Sequence, residues 1–405
     1  MAFSEILVGI EIGTSKVRCV VAEVDDEGNL NILGTGRVDS LGVRKGEIVD
    51  MKLATECVHD ALAAAESNSD VRIEEVITVV TGGHIQSFNS RGSIRIERGD
   101  GVLGEIEQAD IDAVVAKANE VSLPAEHTFL HNSIQHYFVD GQAGVLDPTG
   151  LVGSQLDADV HIIHGIKNRV QNTVGCIEKN DVDIASVVVA PLASAHAATE
   201  TSQRDLGVLV IDVGGGVTDW IVFAEGVVCM SGVLAVGGDH IDNDIAIGLH
   251  LPLKRASRLK ETDGSASLAV ATQGEMISLK NEGGFAGKEV SREMLNTIIH
   301  LRMKEIFEII QRQVSKEISL KMLGTGVVLT GGGSNLAGIG EVAEGVFGVP
   351  VQIGRETAAS GPKSVLNDPC YATVIGAIRQ RHRQMLDEED TEEGFFGKLK
   401  GFFKR

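Results

Sequence analysis

The sequence predicts an α/β fold built on a duplicated strand–turn–strand unit, and three glycine turns carry that prediction. Val210-Ile211-Asp212-Val213 reads as an apolar strand with an acid near its end, Gly214-Gly215-Gly216 as a tight turn, and Thr218 to Phe223 as a second apolar strand. Adjacent glycines tolerate positive φ and let backbone N–H groups approach a ligand closely. An ordinary β-hairpin turn is the alternative reading. Ile6 to Val24 repeats the plan, with Glu11 before the turn Gly13-Thr14-Ser15-Lys16 and a β-branched strand after it. Two such hairpins about 200 residues apart suggest a duplicated domain whose turns face each other across a cleft. The third turn, Gly331-Gly332-Gly333-Ser334-Asn335, follows the buried strand Val327–Thr330 and reads as a helix start. Such a junction offers N–H groups and a positive helix end to a sugar or phosphate.

Composition narrows the class. At 405 residues, 43% hydrophobic and 23% charged, the chain is long enough for two or more domains with real cores. A formal net charge of −21 argues against a nucleic-acid partner. The five cysteines are scattered, with no CxxC pair, which fits reduced, buried thiols. The N-terminus has no charged region followed by an apolar core, and no run approaches the ~20 apolar residues of a membrane span. A protein that stays on the cytoplasmic side is the expectation. No GxxxxGK[ST] or strand-following GxGxxG occurs, so a P-loop ATPase or Rossmann dehydrogenase is not expected.

In chain order, a third strand is expected near Asn31–Gly36, a helix over Leu53–Glu66 and a buried strand at Val76–Thr81. From Gly82 to about Gly165 an inserted module is expected. Its strands fall near Ser93–Glu97, Asn132–Val139 and Asp159–Ile163, with a helix over Gln108–Val121. A helix (Lys167–Lys179), a strand (Ser186–Val189) and a small-residue helix (Leu192–Ser202) lead into the second hairpin. Beyond Gly237 the chain reads as mostly helical to Met322, most periodically over Ser291–Ile318. A strand–turn–helix at Gly326–Val346, a strand at Val349–Ile353 and a helix at Cys370–Met385 complete the body.

The end is different. Asp387–Glu393 is almost purely acidic, a solvated tether. Phe395, Phe396, Leu399, Phe402 and Phe403 then form one helical stripe, flanked by Lys398, Lys400, Lys404 and Arg405. A helix docked on the body is one reading; an in-plane anchor on anionic lipid is the other. The acidic tether and the acidic body favour the anchor. Each large apolar side chain contributes at most ~1.5–3 kcal/mol and each basic residue about 1 kcal/mol, partly offset by helix ordering. A single copy should bind weakly and an array strongly.

Hairpin, hairpin and Thr-Gly-Gly-Gly-Ser-Asn, in this order, resemble the actin/Hsp70/sugar-kinase superfamily. The resemblance implies duplicated RNase H-type domains around a cleft holding ATP and Mg²⁺. It assigns Gly13, Thr14, Ser15 and Lys16 to the first phosphate turn and Gly214, Gly215 and Gly216 to the second. Asp212, with Glu11, would order the metal through water. Gly331, Gly332, Gly333 and Ser334 would lie on the adenosine side, Gly237 and Gly238 in another cleft-lining turn, and Lys260 beside Ser257. Ala372 to Ala377 matches a connecting helix that crosses another tightly.

The inserted module is similar to the 1C subdomain of the FtsA family of bacterial cell-division proteins. Thr81–Ile85, Asp110–Ala118, His136–Gln142, Pro148–Leu151, Pro191–Ala195, Arg302 and the aromatic-basic tail carry the likeness, which spans essentially the whole chain. It implies subdomain 1A over 1–82 and 165–203, the inserted 1C over 83–164, and 2A over 204–236 and 306–364. Subdomain 2B then covers 237–305, a return helix 365–385, an acidic linker 386–393, and an amphipathic membrane-targeting helix 394–405. It further implies self-assembly on the inner membrane face at the division site. Phe395, Phe396, Lys398, Leu399, Lys400, Phe402 and Phe403 would bind membrane, Asn296 and Arg302 the C-terminal peptide of FtsZ, and 1C later division proteins. Glu11 stands where the superfamily usually has Asp, Ser257 where a ribose-binding Glu is common, and His300 where an acid usually precedes the arginine. Ala190 stands where Hsp70-like members carry a Glu, so ATP turnover is expected to be slow or negligible. A pilus platform protein of the PilM type and a small-molecule kinase of the superfamily remain the alternatives.

Overall fold

The computed structural model describes residues 5–25, 28–96, 103–270, 274–281, 286–356 and 358–386. Two five-stranded sheets form its frame. In the first, the strands run Leu30–Asp39, Lys16–Val24, Glu5–Ile12, Glu75–Val80 and Asp183–Val189 from edge to edge. In the second they run Val227–Leu234, Thr218–Ala224, Val208–Val213, Gly326–Thr330 and Val351–Ile353. Each sheet pairs its first three sequential strands antiparallel and adds the last two in parallel. The same topology twice is the structural form of the repeat read from the hairpins.

Alternation along the strands divides each sheet between two cores. Leu209, Ile211 and Val213 face a core shared with Ile299, Met303, Ile306 and Phe307 of the long helix Arg292–Val314. Val208 and Val210 face the opposite way, onto Leu192, Ala195 and Ala198 of the helix Ala190–Ala198. Ala190, Ala193 and Ala197 of that helix belong to the core of the first sheet. The helix is therefore buried on opposite sides between the two halves, which is why its residues are small. A second helix, residues 372–386, crosses it so closely that a Cβ at Gly376 would meet the Ala193 carbonyl oxygen at 1.7 Å. On the far face of the first sheet lie the helices Met51–Ser69 and Lys167–Glu178, whose Ala54, Val58, Ala61 and Cys176 pack against Ile10, Val17 and Val21.

The inserted module is a four-stranded antiparallel sheet (Gln142–Val145, His127–Val139, Gln155–Ile166, Gln86–Arg95) backed by the helix Gln108–Asn119. It leans on the edge strand Val227–Leu234 of the second half. Ser87 Oγ donates to the Ser231 carbonyl (2.7 Å), Gln135 Nε2 donates to that of Val228 (2.7 Å), and His161 Nε2 lies 2.8 Å from Ser231 Oγ.

Three expectations need correction. The helical stretch after Gly237 is interrupted by a short antiparallel pair, Met276–Leu279 with Lys288–Ser291. The small-residue helix breaks at Thr199, which is extended (φ −137°, ψ 146°), because Glu200 and Gln203 cap a new short helix, Thr201–Asp205. The glycine run after Thr330 forms a single 3₁₀ turn, Gly332–Asn335, and the α-helix begins only at Ile339. The acidic linker beyond Leu386 and the phenylalanine stripe lie outside the described residues.

Candidate functional site

The two hairpin turns are closed in the same way. Gly13 N–H donates to the Lys16 carbonyl (3.0 Å), and Gly214 N–H donates to that of Val217 (2.9 Å). The turns meet. A Cβ at Gly215 would lie 2.0 Å from Ser15 Oγ, and one at Gly216 would lie 2.5 Å from Thr14 Oγ1 and 2.9 Å from Lys45 Cα. At Gly216 glycine is required because the Lys45 backbone comes that close, while at Gly215 the close neighbour is the Ser15 side chain; neither hairpin shows this alone. Thr14 Oγ1 also accepts from Gly46 N–H (2.9 Å), and Lys16 is paired with Asp39.

Behind the second turn, Gly238 and Asp239 N–H groups donate to the Gly214 and Gly215 carbonyls (3.0 and 2.8 Å) at the start of the helix Gly238–Gly248. Lys260 on the helix Leu253–Asp263 bridges Asp242 Oδ1 (2.7 Å) and the Gly238 carbonyl (3.1 Å). The third turn closes the other side. Gly331 has φ 78° and ψ 172°, and its N–H donates to the Pro369 carbonyl (3.2 Å).

These parts enclose a cavity of about 730 Å³. Glu11, Gly13, Thr14, Ser15, Lys16, Asp212, Gly214, Gly215, Gly238, Lys260, Gly331, Gly332 and Gly333 all line it. Three expected residues stand behind the wall. Gly216 packs on the first turn, Gly237 lies against the Gly214 and Gly215 carbonyls, and Ser334 is buried with its Oγ donating to the Gly331 carbonyl (2.7 Å). They shape the cleft without facing it.

The floor is acidic. Asp212 Oδ2 accepts from Thr373 Oγ1 (2.6 Å), and Asp219 Oδ1 accepts from Thr81 Oγ1 (2.6 Å). Burial pushes Glu11 up to about 7, with Arg18 opposing the shift. Burial also raises Asp212, opposed by the Thr373 hydrogen bond, and lifts Asp219 well above the usual carboxylate range. The carboxyls are hard oxygen donors, and among the described residues no group of three or more His, Cys, Asp or Glu converges as a direct metal cage. That donor set fits a Mg²⁺ kept largely hydrated and shared with phosphate oxygens.

Arg18, Thr81, Asp219, Glu261 and Thr373 also line the cavity, and sequence reasoning passed over them; Asp239 lines it beside Gly238, in the cleft-lining turn that the resemblance places at Gly237-Gly238-Asp239. Arg18 and Asp219 had a signal: they stand opposite Glu11 and Asp212 in the two hairpin registers. Thr373 had none, because its partner lies 161 residues away.

The expected partner pair divides. Asn296 is fully buried, and its Oδ1 accepts from Ser265 N–H (3.0 Å). It is a core residue of the long helix and has no surface to offer a partner. Arg302 is on the outer side, donating to Asp244 from Nε (2.6 Å) and Nη2 (3.0 Å) and to Glu305 from Nη1 (2.5 Å). Met303, the next residue, lines the cleft, so one helix separates the two surfaces.

Among the described residues no helix is long and apolar enough to cross a membrane. The family described as "Cell division protein FtsA" matches residues 209–376, and the "SHS2 domain inserted in FTSA" matches residues 82–164. The cell division protein FtsA of Neisseria meningitidis serogroup B is 36% identical over 370 residues, 91% of this chain and 88% of the relative. That of Escherichia coli K12 is 30% identical over 409 residues, 99% and 96% of the two chains. Among solved structures, a PilM–PilN type IV pilus biogenesis complex aligns with a TM-score of 0.66 over 92% of this chain and 98% of its own, at 14% identity. MreB5 of Spiroplasma citri bound to AMPPNP aligns with a TM-score of 0.54 over 96% and 99%, at 13% identity. The structural likenesses establish an actin-like fold, and the sequence relatives narrow it further: the chain belongs to the FtsA family of cell division proteins.

Proposed function

We propose that this protein is an ATP-binding cell-division scaffold that assembles into polymers on the inner membrane face, tethers FtsZ filaments there and helps recruit later division proteins. The observation that carries the nucleotide part is the meeting of two identically closed glycine turns beside a third, around one cavity of about 730 Å³. That volume suits a nucleotide-sized ligand. The turn N–H groups and Lys16 hold the phosphate chain, while Gly331, Gly332 and Gly333 let the backbone lie against the sugar and base. A bound Mg²⁺ would neutralise phosphate charge, held through water by Asp212 and Glu11.

Turnover is slow in this reading. Ala190 lines the cleft and offers a water only a methyl group. Asp219 also lines the cleft, but burial lifts its carboxyl well above the usual range and its Oδ1 is already engaged by Thr81 Oγ1, which does not favour it as the base. The ligand thus acts on conformation and assembly.

The membrane part rests on the tail Phe395, Phe396, Leu399, Phe402 and Phe403 with its basic flanks. Co-sedimentation with anionic liposomes tests it, using the full chain and a version ending at Asp390. With ATP the full chain should pellet and the shortened one should not. If both stay in the supernatant, the anchor is wrong. FtsZ filaments should follow the full chain onto the liposomes and be left behind by the shortened one.

A further inference from the structure

One difference between the two hairpins falls at matching positions that line the cleft. Opposite Asp212 stands Asp219; opposite Glu11, at the same register, stands Arg18. Duplication has left a guanidinium in the first half where the second carries a carboxyl. Arg18 is only 9% exposed, yet it lines the cleft. Its Nη1 reaches Glu11 Oε2 only at 3.4 Å, a long contact, and its Nε is buried with no hydrogen-bond partner among the described residues. A buried donor left without an acceptor is costly, more so on a charged group. The guanidinium carbon also stands 5.9 Å from the Tyr371 ring centre, at the outer limit of a cation–π contact.

A polyphosphate entering this cleft meets three carboxyls, those of Glu11, Asp212 and Asp219. Any of these that is ionised repels the phosphates unless a cation intervenes. Arg18 is a cation already on the floor, its Nη1 held by Glu11 only at 3.4 Å. We propose that Arg18 is a specificity-determining residue that serves as a built-in counter-charge for the ligand's phosphate chain, so that this site holds a nucleoside polyphosphate with only weak dependence on a divalent cation. The proposal rests on the nucleotide reading of the cleft and adds to it.

A fluorescent ATP analogue titrated into the full chain tests it, in excess Mg²⁺ and in excess EDTA, with wild type, Arg18→Met and Arg18→Lys. For wild type, EDTA should weaken binding by no more than about threefold. For Arg18→Met it should weaken binding by a further factor of about ten or more, the loss of one charge-assisted hydrogen bond. Arg18→Lys should fall between. Adenosine, which has no phosphate, should bind wild type and Arg18→Met alike, and loss of adenosine binding would mark a folding defect. In that case the wild-type Mg²⁺-to-EDTA ratio and the lysine variant decide. A wild-type loss above tenfold in EDTA, or an unchanged ratio in Arg18→Met, overturns the proposal and leaves the nucleotide site standing. No binding of the ATP analogue to wild type in either condition overturns the nucleotide reading and this proposal with it.

Discussion

Replacing Gly331 with alanine tests whether the third turn is a close-approach device or only a loop. Its φ of 78° and ψ of 172° fall in a region that only glycine occupies without strain, at a cost of about 1–3 kcal/mol for another residue. The added Cβ would also lie 2.0 Å from Asp212 Oδ1 and 2.9 and 3.0 Å from the Val213 carbonyl oxygen and nitrogen. Neither neighbour yields easily. Asp212 is tied to Thr373 Oγ1 at 2.6 Å, and Val213 sits in a central strand. Overpacking of this kind adds about 1–3 kcal/mol, for a total of about 4 kcal/mol. Gly348 is the control: its φ is 68° and a Cβ there meets nothing within 4 Å, so Gly348→Ala should lose only about 1–2 kcal/mol from backbone strain. Thermal melting followed by circular dichroism separates them, since each kcal/mol shifts the midpoint by about 2–4 °C in domains of roughly 200 residues. Gly331→Ala should also lose the rise in midpoint that ATP gives wild type, because the clash moves Asp212. Equal shifts for the two variants, with the ATP effect retained in both, would refute the packing argument.

Other perturbations follow from named contacts. The folded protein holds Glu11 at about 7, above its ordinary 4.5, so the folded state keeps that proton more tightly than the unfolded chain. The associated stability is present below pH ~4.5 and is lost as pH rises to ~7, by up to about 3 kcal/mol. Glu11→Gln should flatten that decline in urea-unfolding midpoints, and an unchanged slope would assign the decline elsewhere. Arg379 donates to both oxygens of buried Glu356 (2.8 and 2.6 Å), whose Oε1 also accepts from Ala358 and Ala359 N–H, so Arg379→Ala should cost about 1.5–3 kcal/mol, with Glu356→Gln/Arg379→Ala recovering part of it in the same melts. Arg302→Glu puts an acid beside Asp244 and Glu305 and should weaken binding of the FtsZ C-terminal peptide about tenfold in fluorescence anisotropy. Unchanged affinity would remove Arg302 from the partner surface.

What could be read in advance was what is local. Each hairpin is one alternating strand, one glycine turn and a second strand, so register and turn are set within about 20 residues. The long helix Arg292–Val314 was equally plain, because its apolar positions repeat over six turns or so at helical spacing. The pair Met276–Leu279 and Lys288–Ser291 was not, since four-residue strands rich in Lys, Glu and Ser carry little alternation and sit between strong helices. Asn296 misled for another reason. Its partner role came only with the family resemblance, and the neighbour its side chain serves, Ser265 N–H, is brought to it only by folding.

The cleft shows the same division, and duplication explains where it falls. Copying one hairpin fixes the turns and the acids before them, so Gly13 and Gly214, Glu11 and Asp212 announce each other across the chain. It leaves the opposite strand free to diverge, and there the halves now differ: Arg18 in one, Asp219 in the other. Their partners come from elsewhere. Thr81 reaches Asp219 from the end of the first half's sheet, and Thr373 reaches Asp212 from the helix that crosses at Gly376. Each acid of the second hairpin is thus held by a side chain delivered from outside its own sheet. The ligand floor is made by the docking of the halves, so a change in their docking must alter the hydrogen bonding of Asp212 and Asp219. By linkage, a ligand that prefers one arrangement of those acids must bias the docking in return.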